Sequence, residues 1–131
     1  PMAAAWAVMS HLGMDGYLAL TRVTLENADR IRAGVAAIDG IRVLGPGTYH
    51  LLAMAADDDA VRPVDVFAVG DGLLARGWYH DRQGPPDSLH ATVSNGNTGV
   101  IDRYLADLAE CVSEAGSGGA GDRSTSYATL E

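Results

Sequence analysis

The chain has 131 residues, 47% of them hydrophobic and 20% charged, which is ordinary for one globular domain able to bury a single core. Nine cationic and 17 acidic side chains give a net charge of −8 and a pI near 4.7, against a nucleic-acid groove or an anionic membrane surface, both of which need clustered positive charge. All nine cations are arginines, from Arg22 to Arg123, and the single Cys111 excludes an internal disulfide and fits a reducing, cytoplasmic setting.

The first segment, residues 2–12, reads as a small-residue helix stopped by Gly13. It carries no positive leader region and falls short of the ~20 residues a membrane span needs, so neither a signal peptide nor a span is expected. It opens without a cap, as a helix continued from a longer chain would. Asp15 is placed to cap a second helix reaching Ile38, with an apolar stripe through Ala28, Ile31, Val35 and Ile38. Asp39-Gly40 signals a turn, and strands are expected over residues 41–44 and 49–55, followed by a solvated Asp57-Asp58-Asp59 loop.

Pro63 leads into a helix over about 65–76, with Val66, Val69, Leu73 and Leu74 inward and Gly77 as its C′ residue. Gly70 and Gly72 would each weaken it by about 1 kcal/mol relative to alanine, so close packing is expected there. A third strand is expected to begin at Trp78 and break at Gly84-Pro85-Pro86. Residues 88–94 alternate, with Leu89, Ala91 and Val93 on one side and Ser88, His90, Thr92 and Ser94 on the other. The last helix, from Gly99 to about Ala115, would turn Ile101, Tyr104, Leu105, Leu108 and Val112 inward, with Cys111 as a small core residue. Residues 116–131 are Gly/Ser-rich and read as a flexible tail. Strands arriving in pairs imply an α+β layer: an antiparallel sheet of about four strands with helices on one face, preceded by a long helical segment. The organisation expected is a helical connector and first helix over 1–38, an α+β domain over 39–115, and the tail over 116–131.

The residues with chemistry to offer are sparse. His80 and His90 flank a loop beside Asp81, but zinc wants three or four converging ligands, and no second cysteine supports one, so core or surface histidines are the expectation. Gly96-Asn97-Thr98-Gly99 before the last helix is compatible with a small anion nest and equally with a plain turn and cap. No G-x-S-x-G occurs, and the acidic triplet lacks calcium-loop spacing.

Asn27-Ala28-Asp29-Arg30-Ile31-Arg32-Ala33-Gly34, then Ile38-Asp39-Gly40-Ile41-Arg42-Val43-Leu44-Gly45, resembles the pyridoxal-phosphate-dependent sphingosine-1-phosphate lyase family. The resemblance continues through Asp65-Val66-Phe67-Ala68-Val69, Leu74-Ala75-Arg76-Gly77-Trp78 and Pro85-Pro86-Asp87-Ser88-Leu89-His90-Ala91-Thr92-Val93 to the final helix. Residues 2–16, with Trp6 and Leu12-Gly13, are similar to the helix that leaves that family's large domain. The resemblance implies the small C-terminal domain of a lyase or decarboxylase of the aspartate aminotransferase fold, with pyridoxal phosphate in the complete enzyme and none held by this chain alone. That family's Schiff-base lysine, phosphate cup and pyridine-facing aspartate lie in the large domain. Arginine cannot replace the lysine, since its guanidinium stays protonated. The implied partners are a large pyridoxal-phosphate-binding domain or a second protomer, as in a homo-oligomer. Tyr127, in Ser126-Tyr127-Ala128, falls roughly where the family has a tail tyrosine that approaches the active site, and is the one substrate-side candidate. The alternative is a non-catalytic association module or split subunit that docks on a large-domain partner.

Overall fold

The computed structural model describes residues 1–46, 49–116, 121–124 and the backbone of 127–128. The first helix, α1 (Met2–Ala36), is interrupted at Gly13, whose φ of 58° and ψ of −174° lie where only glycine is at ease. The two expected helices are thus one segment with a break. Its buried residues, Asn27, Ala28, Ile31 and Val35, all lie well beyond the break, while Met2, Trp6, Met9 and Met14 are exposed. The stripe read from the sequence therefore faces the core, with Ile38 packed at its margin.

After the turn at Gly40, β1 (Ile41–Val43) pairs antiparallel with β2 (Leu51–Ala56), Ile41 opposite Ala56. Then α2 (Val66–Ala75) starts on Asp65, whose Oδ1 accepts from the Phe67 and Ala68 amides at 3.0 and 3.4 Å. It stops at Gly77, with φ of 90° and the Trp78 amide returning to the Leu73 carbonyl at 2.9 Å. The two glycines inside α2 mark close approaches: a Cβ on Gly70 would sit 2.9 Å from Leu89, and one on Gly72 2.9 Å from the Cys111 sulfur.

Two expectations about this region need correction. Leu74 is exposed rather than inward, because the buried face of α2 centres on Val66, Val69, Gly70 and Leu73 and Leu74 lies past its edge. The third strand, β3 (Asp81–Gly84), begins three residues later than expected. The Trp78 indole N–H donates to Asp107 at 2.7 Å and its ring meets Tyr104 edge-on at 5.3 Å, which draws residues 78–80 toward a helix rather than into the ladder.

The Gly84-Pro85 and Pro85-Pro86 peptide bonds are both cis, and the chain returns as β4 (Ser88–Thr92). A single 3-10 turn at Asn95–Asn97 precedes α3 (Ile101–Ala115). The strand order is β1-β2-β4-β3-β5, the first four antiparallel; β5 (Tyr127–Ala128) adds two residues parallel to β3. This is the α+β architecture the pattern implied. Leu52, Met54 and Leu89 are buried on the helical face, whereas Leu51 and Thr92, opposite each other in register, are exposed on the other. From α3, Ile101, Tyr104, Leu108, Cys111 and Val112 complete the core, with Leu105 packed at its edge. Among the described residues no helix is long and apolar enough to cross a membrane.

Candidate functional site

Where α3 begins beside the start of β3 and the end of β4, the surface opens into a cavity of about 280 Å³, walled by Trp78, His80, His90, Asn97, Ile101 and Tyr104. Its floor follows from the register. Residues 78–80 lean on α3, so His80 stacks on Tyr104 with ring centroids 5.6 Å apart and its Nε2 3.0 Å from the Tyr104 hydroxyl. That hydroxyl also lies 3.6 Å from the Met54 sulfur. Opposite, Asp81 and His90 are cross-strand partners, and the Tyr79 hydroxyl donates to Asp81 at 3.0 Å.

The electrostatics make the His80–Tyr104 pair neutral at physiological pH. Burial pushes the His80 imidazole down to about 4; the nearby Trp78 backbone and the Asp81 carboxylate oppose the fall, and His90 adds to it. Burial likewise pushes the Tyr104 hydroxyl far up, so the pair meets as imidazole and phenol. Near pH 7 the imidazole is therefore unprotonated and the phenol protonated, so the pair carries no charge there. His80 Nδ1 is closed off from solvent without a hydrogen bond of good geometry. The pair acts as a polar anchor in an apolar wall, and sequence reading had no signal for it beyond two residue types.

His80 and His90 both line the cavity, but among the described residues no three metal-ligating side chains gather. At the 96–99 segment the polar side chains hold the turn itself. The Ser94 amide donates to Asn97 Oδ1 at 2.6 Å, and the buried Asn27 amide group donates to the Ser94 carbonyl and to Thr98 Oγ1, both at 2.9 Å. Tyr127 stands opposite Gln83 in the β3–β5 pair; its side chain lies outside the described residues.

A second polar cluster forms around Phe67. Residues 121–124 of the tail lie against the start of α2, where the Gly121 amide donates to Asp65 Oδ2 at 3.1 Å and the Arg123 guanidinium donates to Asp65 Oδ2 and Asp87 Oδ2 at 2.7 and 3.0 Å. Arg82 binds Asp71 and the Asp122 carbonyl, and the Asp122 amide donates to Asp71 Oδ2 at 2.9 Å. Burial raises the Asp71 carboxyl, but the Arg82 guanidinium and the Asp122 amide outweigh it and hold it below the ordinary carboxylate range. The rest of the 116–131 tail lies outside the described residues, β5 backbone apart.

The chain has no lysine that could carry pyridoxal phosphate as a Schiff base.

No family model matches the chain. Among curated proteins, sphingosine-1-phosphate lyase of Drosophila melanogaster is 33% identical over 115 residues, covering 86% of this chain and 20% of that protein. The same enzyme of Oryza sativa subsp. japonica is 32% identical over 111 residues, 85% of this chain and 20% of the relative. The solved structure of sphingosine-1-phosphate lyase from Burkholderia pseudomallei superposes with a TM-score of 0.77 at 36% identity, over 86% of this chain and 25% of that one. The chain is a homologue of the C-terminal region of sphingosine-1-phosphate lyases. It spans about a fifth of the length of the curated relatives it matches. Glutamate decarboxylase from Lactobacillus brevis shares the fold, with a TM-score of 0.75 over 87% of this chain at 16% identity.

Proposed function

We propose that this chain is the small C-terminal domain of a pyridoxal-phosphate-dependent carbon–carbon lyase or decarboxylase of the sphingosine-1-phosphate lyase type, and that it is silent by itself. The observation that carries the reading is the pairing of 36% identity with the Burkholderia lyase and a complete absence of lysine. The likeness supports the architecture of such an enzyme, while the electrophile that would take up the substrate's electrons has nowhere to attach. The lysine must come from a large domain, on the same polypeptide or on a partner. The exposed Met2, Trp6, Met9 and Met14 of α1 offer apolar surface to such a domain or to a second protomer. Within the assembled enzyme, Tyr127 is the residue we carry as a substrate-side candidate.

The test is made on the endogenous protein. It is recovered from its own cells with an antibody to this chain, sized under denaturing conditions, and treated with pyridoxal phosphate and borohydride. The reading expects either a band several times larger than 13.6 kDa or a co-purifying lysine-bearing partner, with the pyridoxyl label on a lysine outside this sequence. A 13.6 kDa band with no such partner and no label would overturn it.

A further inference from the structure

Phe67 and Leu74 stand nearly together on the flank of α2, about 100° and 80° round from Val66 at the 100° per residue of an α-helix. Both lie off the face that packs on the sheet. Yet Leu74 is 54% exposed and Phe67 only 1%. The tail and β3 both cover Phe67: a Cβ built on Gly121 would lie 2.8 Å from the Phe67 Cβ, and the guanidinium carbons of Arg82, from β3, and Arg123, from the tail, lie over the ring, 5.6 and 5.4 Å from its centroid.

We propose that residues 121–124 form a latch with closed and open states: closed, it caps Phe67 and lays Tyr127–Ala128 along the free edge of β3; open, it releases both. The inference rests on the local geometry and not on the enzymatic reading above. The closed state is specific. Asp65, Asp71 and Arg82 take up the Gly121 amide, the Asp122 amide and the Asp122 carbonyl, so three main-chain groups are held by side chains of α2 and β3. Position 121 admits only glycine, because a Cβ there would lie 2.2 Å from the Ala68 nitrogen and 2.3 Å from the Phe67 carbonyl carbon. Arg123 then reaches Asp65 and, across the β3–β4 turn, Asp87.

The closed state is also shallow. Arg123 and Asp87 are 58% and 53% exposed, so their attraction is weak and screened by salt. The one large apolar group it covers is a single ring. Segments held in this way open locally well before the core does.

Arg123 is the sole cationic residue in 116–131, which gives the latch its own reporter: tryptic cleavage after Arg123 of the full chain, read by intact mass. The wild type should be cleaved there more slowly than a free peptide of the same sequence. Cleavage should quicken several-fold between about 0.1 M and 1 M salt, as the screening length falls from ~10 to ~3 Å, after correction against that peptide. Gly121→Ala should be cleaved at Arg123 about tenfold faster, while Arg76, at the end of α2, and Arg103, in α3, stay protected. Asp87→Asn, whose side chain holds only Arg123 in this cluster, should give a smaller increase and serves if Gly121→Ala perturbs the whole fold. Equal rates for wild type and both variants, a wild type as labile as the free peptide, or cleavage at Arg123 only together with Arg76 and Arg103 would each overturn the latch.

Discussion

The neutral imidazole of His80 makes the fold sensitive to acid, and the size of the effect follows from its position. Folded, His80 titrates at about 4; unfolded, at its ordinary 6.5. The unfolded chain therefore binds the proton first, so stability is full above pH 6.5, declines as the pH falls through that value, and levels off below about 4. A gap of about 2.5 pH units corresponds to roughly 3 kcal/mol in all, of which about 2 kcal/mol is already lost at pH 5. For a domain with a total stability of about 5–15 kcal/mol that is a large share. Urea unfolding of the wild type and of His80→Phe, each at about pH 7.5 and pH 5, isolates the effect. The variant starts lower because it forfeits the bond to Tyr104, but between the two pH values it should lose about 2 kcal/mol less than the wild type. The comparison subtracts the pH dependence that both proteins share. Equal losses in the two would refute the assignment of a depressed, buried histidine.

Two more measurements bear on the core. Asn27→Leu removes the buried amide that donates to the Ser94 carbonyl and to Thr98 Oγ1, losing two part-buried hydrogen bonds at about 0.5–1.5 kcal/mol each, and should lower stability by about 1–3 kcal/mol in the same urea assay; an unchanged midpoint would mean that water replaces both bonds without cost. Cys111 is 2% exposed, and burial raises its thiol above the usual range, so a thiol reagent should label it only as fast as the chain opens, and rapid labelling of the folded chain would contradict its place in the core.

What could be read from the sequence is what is encoded locally. The break at Gly13, the Gly77 stop and the α3 stripe of Ile101, Tyr104, Leu108 and Val112 all follow from spacing or from one residue's conformational range. The late start of β3 was not legible, because the strand is delayed by Trp78 reaching Asp107, 29 positions away. The His80–Tyr104 pair and the Asn27 bridge span 24 and 67 to 71 positions, and a pattern of residue types says nothing about which distant partners meet. Phe67 fell outside the predicted face of its helix for the same reason: periodicity placed it on the flank, and the residues over its ring, Arg82 and Arg123, come from β3 and the tail. Tyr127 was singled out by resemblance alone, and the structure adds the edge on which its backbone lies.

The strand order carries a consequence for how the molecule is made. The two central strands, β2 and β4, are not neighbours in sequence; α2 and β3 lie between them. On the ribosome, α1, β1 and β2 emerge with their apolar sides bare, and the strand that completes the middle of the sheet follows only after a helix and another strand. The α3 residues that close over the core come later still. The stripe of Ala28, Ile31 and Val35 therefore stays uncovered until those later elements have emerged. Folding that waits for distant partners is slow and leaves the growing chain open to aggregation.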